Sequence, residues 1–116
     1  MEQHLLSAVT ATTTSSAFSV ERFSRIGLQL TASGISAGNG VFTVEGTVDG
    51  TNWVALNTII DNVTNTNAQN YTRVASKTLS SDGSALVWLL DLALKAIRVK
   101  VTYTTDGAYS AHVIAS

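Results

Sequence analysis

Residues 41–56 read VFTVEGTVDGTNWVAL. Phe42, Val44, Gly46 and Val48 fall on one side of an extended chain, and Thr43, Glu45 and Thr47 fall on the other. Side chains of a strand alternate with a period of two, so this run reads as a strand with one buried face. Asp49-Gly50 then interrupts it, and Trp53, Val54 and Leu56 resume the apolar pattern. Asp-Gly between two such runs predicts a tight hairpin, because glycine accepts the positive φ that a short turn requires.

The same grammar extends outward. Ile26, Leu28, Leu30 and Ala32 alternate with Gly27, Gln29 and Thr31, and Ile97, Val99, Val101 and Tyr103 alternate with Arg98, Lys100, Thr102 and Thr104. Asp82-Gly83 and Asp106-Gly107 supply two further turns, and the second leads into a closing strand with Tyr109, Ala111 and Val113 inward. Residues 5–12 predict a first strand with Leu6 and Ala8 on one face, and residues 12–16 a polar loop or arm. Residues 58–71 contain DNVTNTNAQN and read as the longest loop, since Asn and Asp bond to nearby backbone and favour turns. Residues 73–80 predict a weaker strand. The run from Leu86 to Leu92 reads as a strand, although LLDLALKAIR also carries helical propensity.

About eight strands at regular spacing predict an all-β fold, an antiparallel two-sheet sandwich of jelly-roll type. A single open sheet would leave one apolar face wet, so two sheets must pack together. The expected organisation is an N-terminal strand or arm over 1–16 and one sandwich domain over 17–116. A chain of 116 residues is long enough for one real core.

Composition narrows the function. The chain is 45% hydrophobic and only 13% charged, with a net charge of −1, where a typical soluble domain is roughly 25% charged. Such a surface has no field to steer nucleic acid or an anionic membrane, so neither is an expected partner. No run approaches the ~20 apolar residues that span a bilayer. The first residues lack the basic start and apolar core of a signal peptide. Cysteine is absent, which removes disulfides and thiolate metal sites.

Catalytic patterns are missing. The two histidines, His4 and His112, stand at opposite ends of the chain without a ligand neighbour at strand or helix spacing. Three of the aspartates belong to the Asp-Gly turns, where turn chemistry accounts for a carboxylate. There is no GxSxG, no phosphate-cradling glycine motif and no DxDxDG calcium loop. The expectation is a protein that is not an enzyme and holds no cofactor or metal. Asn62-Val63-Thr64 and Asn70-Tyr71-Thr72 match the glycosylation pattern, which is incidental in a chain read as unsecreted.

Aromatic and apolar side chains are the remaining candidates. Trp53, beside the hairpin turn, reads as a core-edge anchor or, with Tyr71, as a group that stacks on a glycan. The strand from Leu86 to Leu92 has more apolar side chains than one inner face uses: Leu86, Trp88, Leu90 and Leu92 on one side, Val87 and Leu89 on the other. Val87, Trp88 and Leu89 are the candidate interface, because a leftover apolar patch favours association.

The hairpin VEGTVDGTNWVAL resembles a segment of small structural proteins of tailed bacteriophages, above all capsid decoration (cement) proteins. The closing stretch LDLALKAIRVKVTYTTDGAYSAHVIAS also looks like the C-terminal strands of such proteins. The hairpin is similar as well to discoidin-like carbohydrate-binding sandwiches, which are usually longer, secreted and disulfide-closed. The phage resemblance implies a part of the virion on the capsid surface, assembled in the host cytoplasm. Its partners would be the major capsid protein and other copies of itself in a homotrimer. The alternatives are a neck, tail or fibre part, or a sugar-binding module.

Overall fold

The computed structural model describes residues 1–61, 73–90 and 93–116. It is all-β: two antiparallel sheets, with no helix among the described residues. The strands are β1 (Glu2–Val9), β2 (Thr13–Thr14), β3 (Phe18–Ser19), β4 (Arg25–Ser33), β5 (Asn39–Thr47), β6 (Val54–Ala55), β7 (Ile59–Asp61), β8 (Arg73–Val74), β9 (Lys77–Leu79), β10 (Gly83–Leu90), β11 (Ala96–Thr104) and β12 (Ala108–Ala115). The first sheet has the order β1-β12-β4-β10-β7-β8. In the second, β11 and β5 pair centrally, with β2 and β3 both on β11, and β6 and β9 both on β5.

The long strands form where alternation is strict. Ile26, Leu28, Leu30 and Ala32 of β4 are buried, as are Ala85, Val87 and Leu89 of β10 and Tyr109, Ala111, Val113 and Ala115 of β12. From the second sheet come Phe42 and Val44 of β5 and Ile97, Val99 and Val101 of β11. These side chains make one core shared by both sheets. Phe42 and Tyr109 join the layers edge to face, with ring centroids 6.1 Å apart. Such a pair adds about 0.5–1.5 kcal/mol beyond its buried area. A second tie crosses one flank, where Lys77 Nζ of β9 lies 3.0 Å from Asp61 Oδ2 of β7.

Several expectations are corrected. Among the described residues there are twelve strands, not about eight, because four of them are two-residue pieces, too short to show a period. Of the strand or arm expected over residues 1–16, the structure has strands: β1 pairs with β12, and β2 with β11. Register shifts between His4 and Leu6 and between Leu6 and Val9 place Leu5 and Leu6 both inward. Ala8, expected inside, is exposed with φ of 47°. A bulge sets aside the simple alternation on which that expectation rested. The loop expected over residues 58–71 contains β7, which is buried throughout; residues 62–71, with Tyr71, lie outside the described residues. Residues 73–80 form two short strands, one in each sheet.

The 41–56 hairpin is real but wider than a two-residue turn. β5 ends at Thr47 and β6 starts at Val54. Thr47 turns inward, 2% exposed, and Val48, expected in the core, is 73% exposed. Asp49 organises the connection: Oδ1 accepts hydrogen bonds from the amides of Thr51 and Asn52, both at 2.8 Å, and Oδ2 accepts one from Asn52 Nδ2 at 2.7 Å. Gly50 supplies the left-handed residue, with φ of 84°.

Candidate functional site

The outer face of the first sheet is the candidate site. Period-two alternation that buries Val87 and Leu89 turns Leu86, Trp88 and Leu90 outward on β10. Val87 and Leu89 are 1% and 0% exposed, so of the three candidate interface residues only Trp88 reaches the surface face. Across the sheet, Trp88 stands opposite Gly27, Gly27 opposite Ile114, and Ile114 opposite Glu2. The next row is Leu86, Gln29, His112 and His4. Leu86 is 50% exposed and Ile114 57%.

Gly27 makes a saddle in the first row, because it alone there has no side chain. A Cβ at Gly27 would sit 3.3 Å from Ile114 Cγ2. Open depressions of about 490 and 420 Å³ lie on either side of the row. The first is bordered by Met1, Arg25, Leu90 and Trp88, the second by Leu86, Gln29, His112 and Glu2. Arg25 belongs to no ion pair among the described residues, and Glu2 is bonded to His112, Oε2 to Nε2, at 3.1 Å.

The two histidines, remote in sequence, are cross-strand neighbours on β1 and β12, with ring centroids 4.3 Å apart and planes at 73°. No sequence spacing reports this contact, since it depends on the first strand pairing with the last. His112 faces outward as expected; its Nδ1 is buried with no hydrogen-bond partner among the described residues. Among those residues no group of three or more His, Asp or Glu side chains is placed to hold a metal ion.

Trp53 lies on the outer side of the second sheet. The Arg98 guanidinium carbon is 4.4 Å from the centre of its ring, and Arg98 Nε is 2.6 Å from Glu45 Oε1. Arg98 and Glu45 are register partners on β11 and β5. This stack covers one face of the indole, the surface a sugar would use, and contributes roughly 0.5–1 kcal/mol at a wet site. Beyond the nearby loop, Val48 and Val54 are 73% and 65% exposed. With Leu56 and Leu94 they border an open depression of about 420 Å³.

The turn aspartates act across loops. Asp106 accepts hydrogen bonds from the amides of Ser36, Ala37 and Gly38 at 3.0–3.3 Å, and Asp82 accepts one from Ile35 at 2.8 Å. Both carboxylates thereby fix the β4–β5 connection. The Ser36 amide, then those of Ala37 and Gly38, hold the Asp106 carboxyl below its ordinary range despite some opposing desolvation. At the other end the Asn52 amide, above all, holds Asp49 far below that range. The Tyr109 hydroxyl donates to the Asp106 carbonyl at 2.8 Å, and burial, aided by the nearby Asp106 charge, pushes its ionisation up. These are structural bonds, in which each of the three carboxylates accepts from backbone amides of the loop it orders.

No protein-family model matches the chain, and no curated protein matches it significantly. Among solved structures, the chain is similar to the SPBc2 prophage-derived protein YomS, with a TM-score of 0.67 at 16% sequence identity. The likeness covers 100% of this chain and 92% of that one. At this identity it is a likeness of fold.

Proposed function

We propose that this chain is a non-enzymatic structural protein of a bacteriophage particle, a capsid decoration (cement) protein that stabilises the head by bridging major capsid subunits. The observation that carries the reading is the fold shared over its whole length with a prophage-derived protein. It is an argument from fold, and fold alone does not fix a role. The resemblance of the Asp-Gly-Thr-Asn-Trp hairpin to decoration proteins adds the finer assignment.

We read the strand order as a jelly-roll sandwich, an architecture common in viral capsid domains. β1, β12, β4 and β10 form one layer, and β2–β3, β11, β5 and β6–β9 the other, with β7 and β8 as an added edge. The capsid contact is the apolar loop end at Val48 and Val54. It lies beside the Asp49-ordered turn, so it is presented rigidly, and a preordered surface loses less entropy on docking. The protein would be assembled in the host cytoplasm and end on the capsid surface.

Mass spectrometry of purified particles, together with binding of the purified protein to capsids that lack it, tests this. The expected result is many copies per particle and binding that Val48→Asp with Val54→Asp abolishes while the melting temperature holds. Absence from washed particles overturns it. A sugar-binding role is the second reading, favoured by Gln29, His112 and Glu2 beside Trp88, and a glycan array tests that one.

A further inference from the structure

We infer that β1 is an exchangeable strand, and that two copies of this chain pair by each lending its β1 to the other's β12. β1 is the terminal strand of the first sheet, and β12 is its one partner there among the described residues. Over Glu2–Leu6 it runs antiparallel to Ala111–Ile114, and Leu5 and Leu6 enter the shared core. The partner copy's β1 brings the same side chains to the same register. Exchange therefore keeps the contacts of the strand and alters the hinge alone, which makes it a low-cost route to a dimer.

The hinge is where the closed form is under tension. β1 ends at Val9 in the first sheet, and β2 starts at Thr13 in the second. Packed sheets lie about 10 Å apart, and an extended chain covers at most about 3.3–3.6 Å per residue. Thr10, Ala11 and Thr12 thus cross the gap with little slack, and all three are exposed. The register shifts between Leu6 and Val9, and Ala8 is held at φ of 47°. An alanine in that left-handed region is disfavoured, because its Cβ crowds the following carbonyl.

A short, strained connection is the condition that invites strand exchange. Side-chain bonds at exposed positions tether the hinge: the Ala8 amide donates to Ser110 Oγ at 2.9 Å, and the Tyr103 amide to Thr12 Oγ1 at 3.0 Å. Opening residues 7–12 into extended chain relaxes Ala8 and gives a reach of about 20 Å, enough to carry Leu5 and Leu6 into an adjacent copy. Reciprocal exchange closes on two copies and leaves no β12 edge bare. In this proposal a two-fold exchange takes the place of the three-fold pairing expected from sequence. It does not depend on the capsid reading, because it concerns the isolated protein.

The chain has no cysteine, so introduced thiols report one contact. His4 and His112 are register partners, and a disulfide spans the Cα separation of such partners, about 4.5–5.5 Å. Full chains carrying His4→Cys and full chains carrying His112→Cys are unfolded together, refolded together at several hundred micromolar and oxidised. The expected product is a mixed disulfide of about twice the 12.2 kDa chain mass, which neither chain forms alone. Sedimentation of the native chain refolded in the same way gives the same mass. Ala8→Gly, which relieves the closed form, lowers the dimer constant about tenfold. A Gly-Ser-Gly insertion after Thr10 slackens the hinge and yields a monomer. Absence of the mixed disulfide together with a monomeric native chain overturns the proposal. So does a trimer, a dimer indifferent to the insertion, or equal cross-linking of either cysteine chain by itself.

Discussion

Asp106 shows how much one carboxylate can order. It is bound by three consecutive backbone amides, and its carboxyl ionises below the ordinary value of 3.8. A carboxyl depressed in the fold stabilises it above its unfolded value, and that stabilisation is lost as pH falls through the folded value. The melting temperature of the native chain should therefore exceed that of Asp106→Asn at neutral pH, and the gap should close below about pH 4. A gap that stays constant down to pH 2.5 refutes this assignment. At Gly50 the constraint is steric. Its φ is 84°, while the nearest atoms to an added Cβ, on Lys95, are 3.5 Å away. The cost of a side chain there is thus backbone strain and not a clash. Gly50→Val should destabilise by roughly 1–3 kcal/mol, read from urea denaturation, and an unchanged midpoint rules out the left-handed turn.

At the scale of elements, the second sheet is linked to the flank of the first by Lys77 and Asp61, whose side chains are 15% and 9% exposed. Removing the cation of this mostly buried pair takes away a charge-assisted hydrogen bond, so Lys77→Ala should cost about 1–3 kcal/mol in chemical denaturation. A change under about 0.5 kcal/mol would place the pair among surface bridges of little consequence. The long strands were legible because their alternation is strict: the facing of β4, β11 and β12 follows directly from Ile26–Ala32, Ile97–Val101 and Tyr109–Val113. The short strands were not, since Val54–Ala55 or Arg73–Val74 are too brief to carry a period. β1 was misread at Ala8 because a bulge leaves no mark in a pattern of side chains. The candidate face was half legible. Leu86, Trp88 and Leu90 share a side by alternation alone, but Gly27 and Ile114 join them only through the pairing of β4 with β10 and β12, and sequence does not state which strands are neighbours.

The whole molecule depends on a segment that sequence offered as a strand or an arm. Leu5 and Leu6 are buried at 9% and 3%, and the amide and hydroxyl of Ser15 both bond to the backbone of Val99. A chain starting at residue 17 would uncover the edge of β12 and vacate two leucine sites, each worth about 2–5 kcal/mol. Stabilities of whole domains are about 5–15 kcal/mol. That truncated chain should lose cooperative thermal unfolding or aggregate, and a sharp transition near that of the full chain would show the segment to be dispensable. The pairing of β1 with β12 also has a consequence for synthesis. Glu2 stands opposite Ile114, so β1 has no partner until β12, made about a hundred residues later, has left the ribosome. At elongation rates of about 5–20 residues per second, the nascent chain carries Leu5 and Leu6 unpaired for roughly 5–20 s. The first sheet therefore closes only after β12 has left the ribosome, and until then β1 is a sticky strand that chaperones, or a neighbouring nascent chain, can occupy.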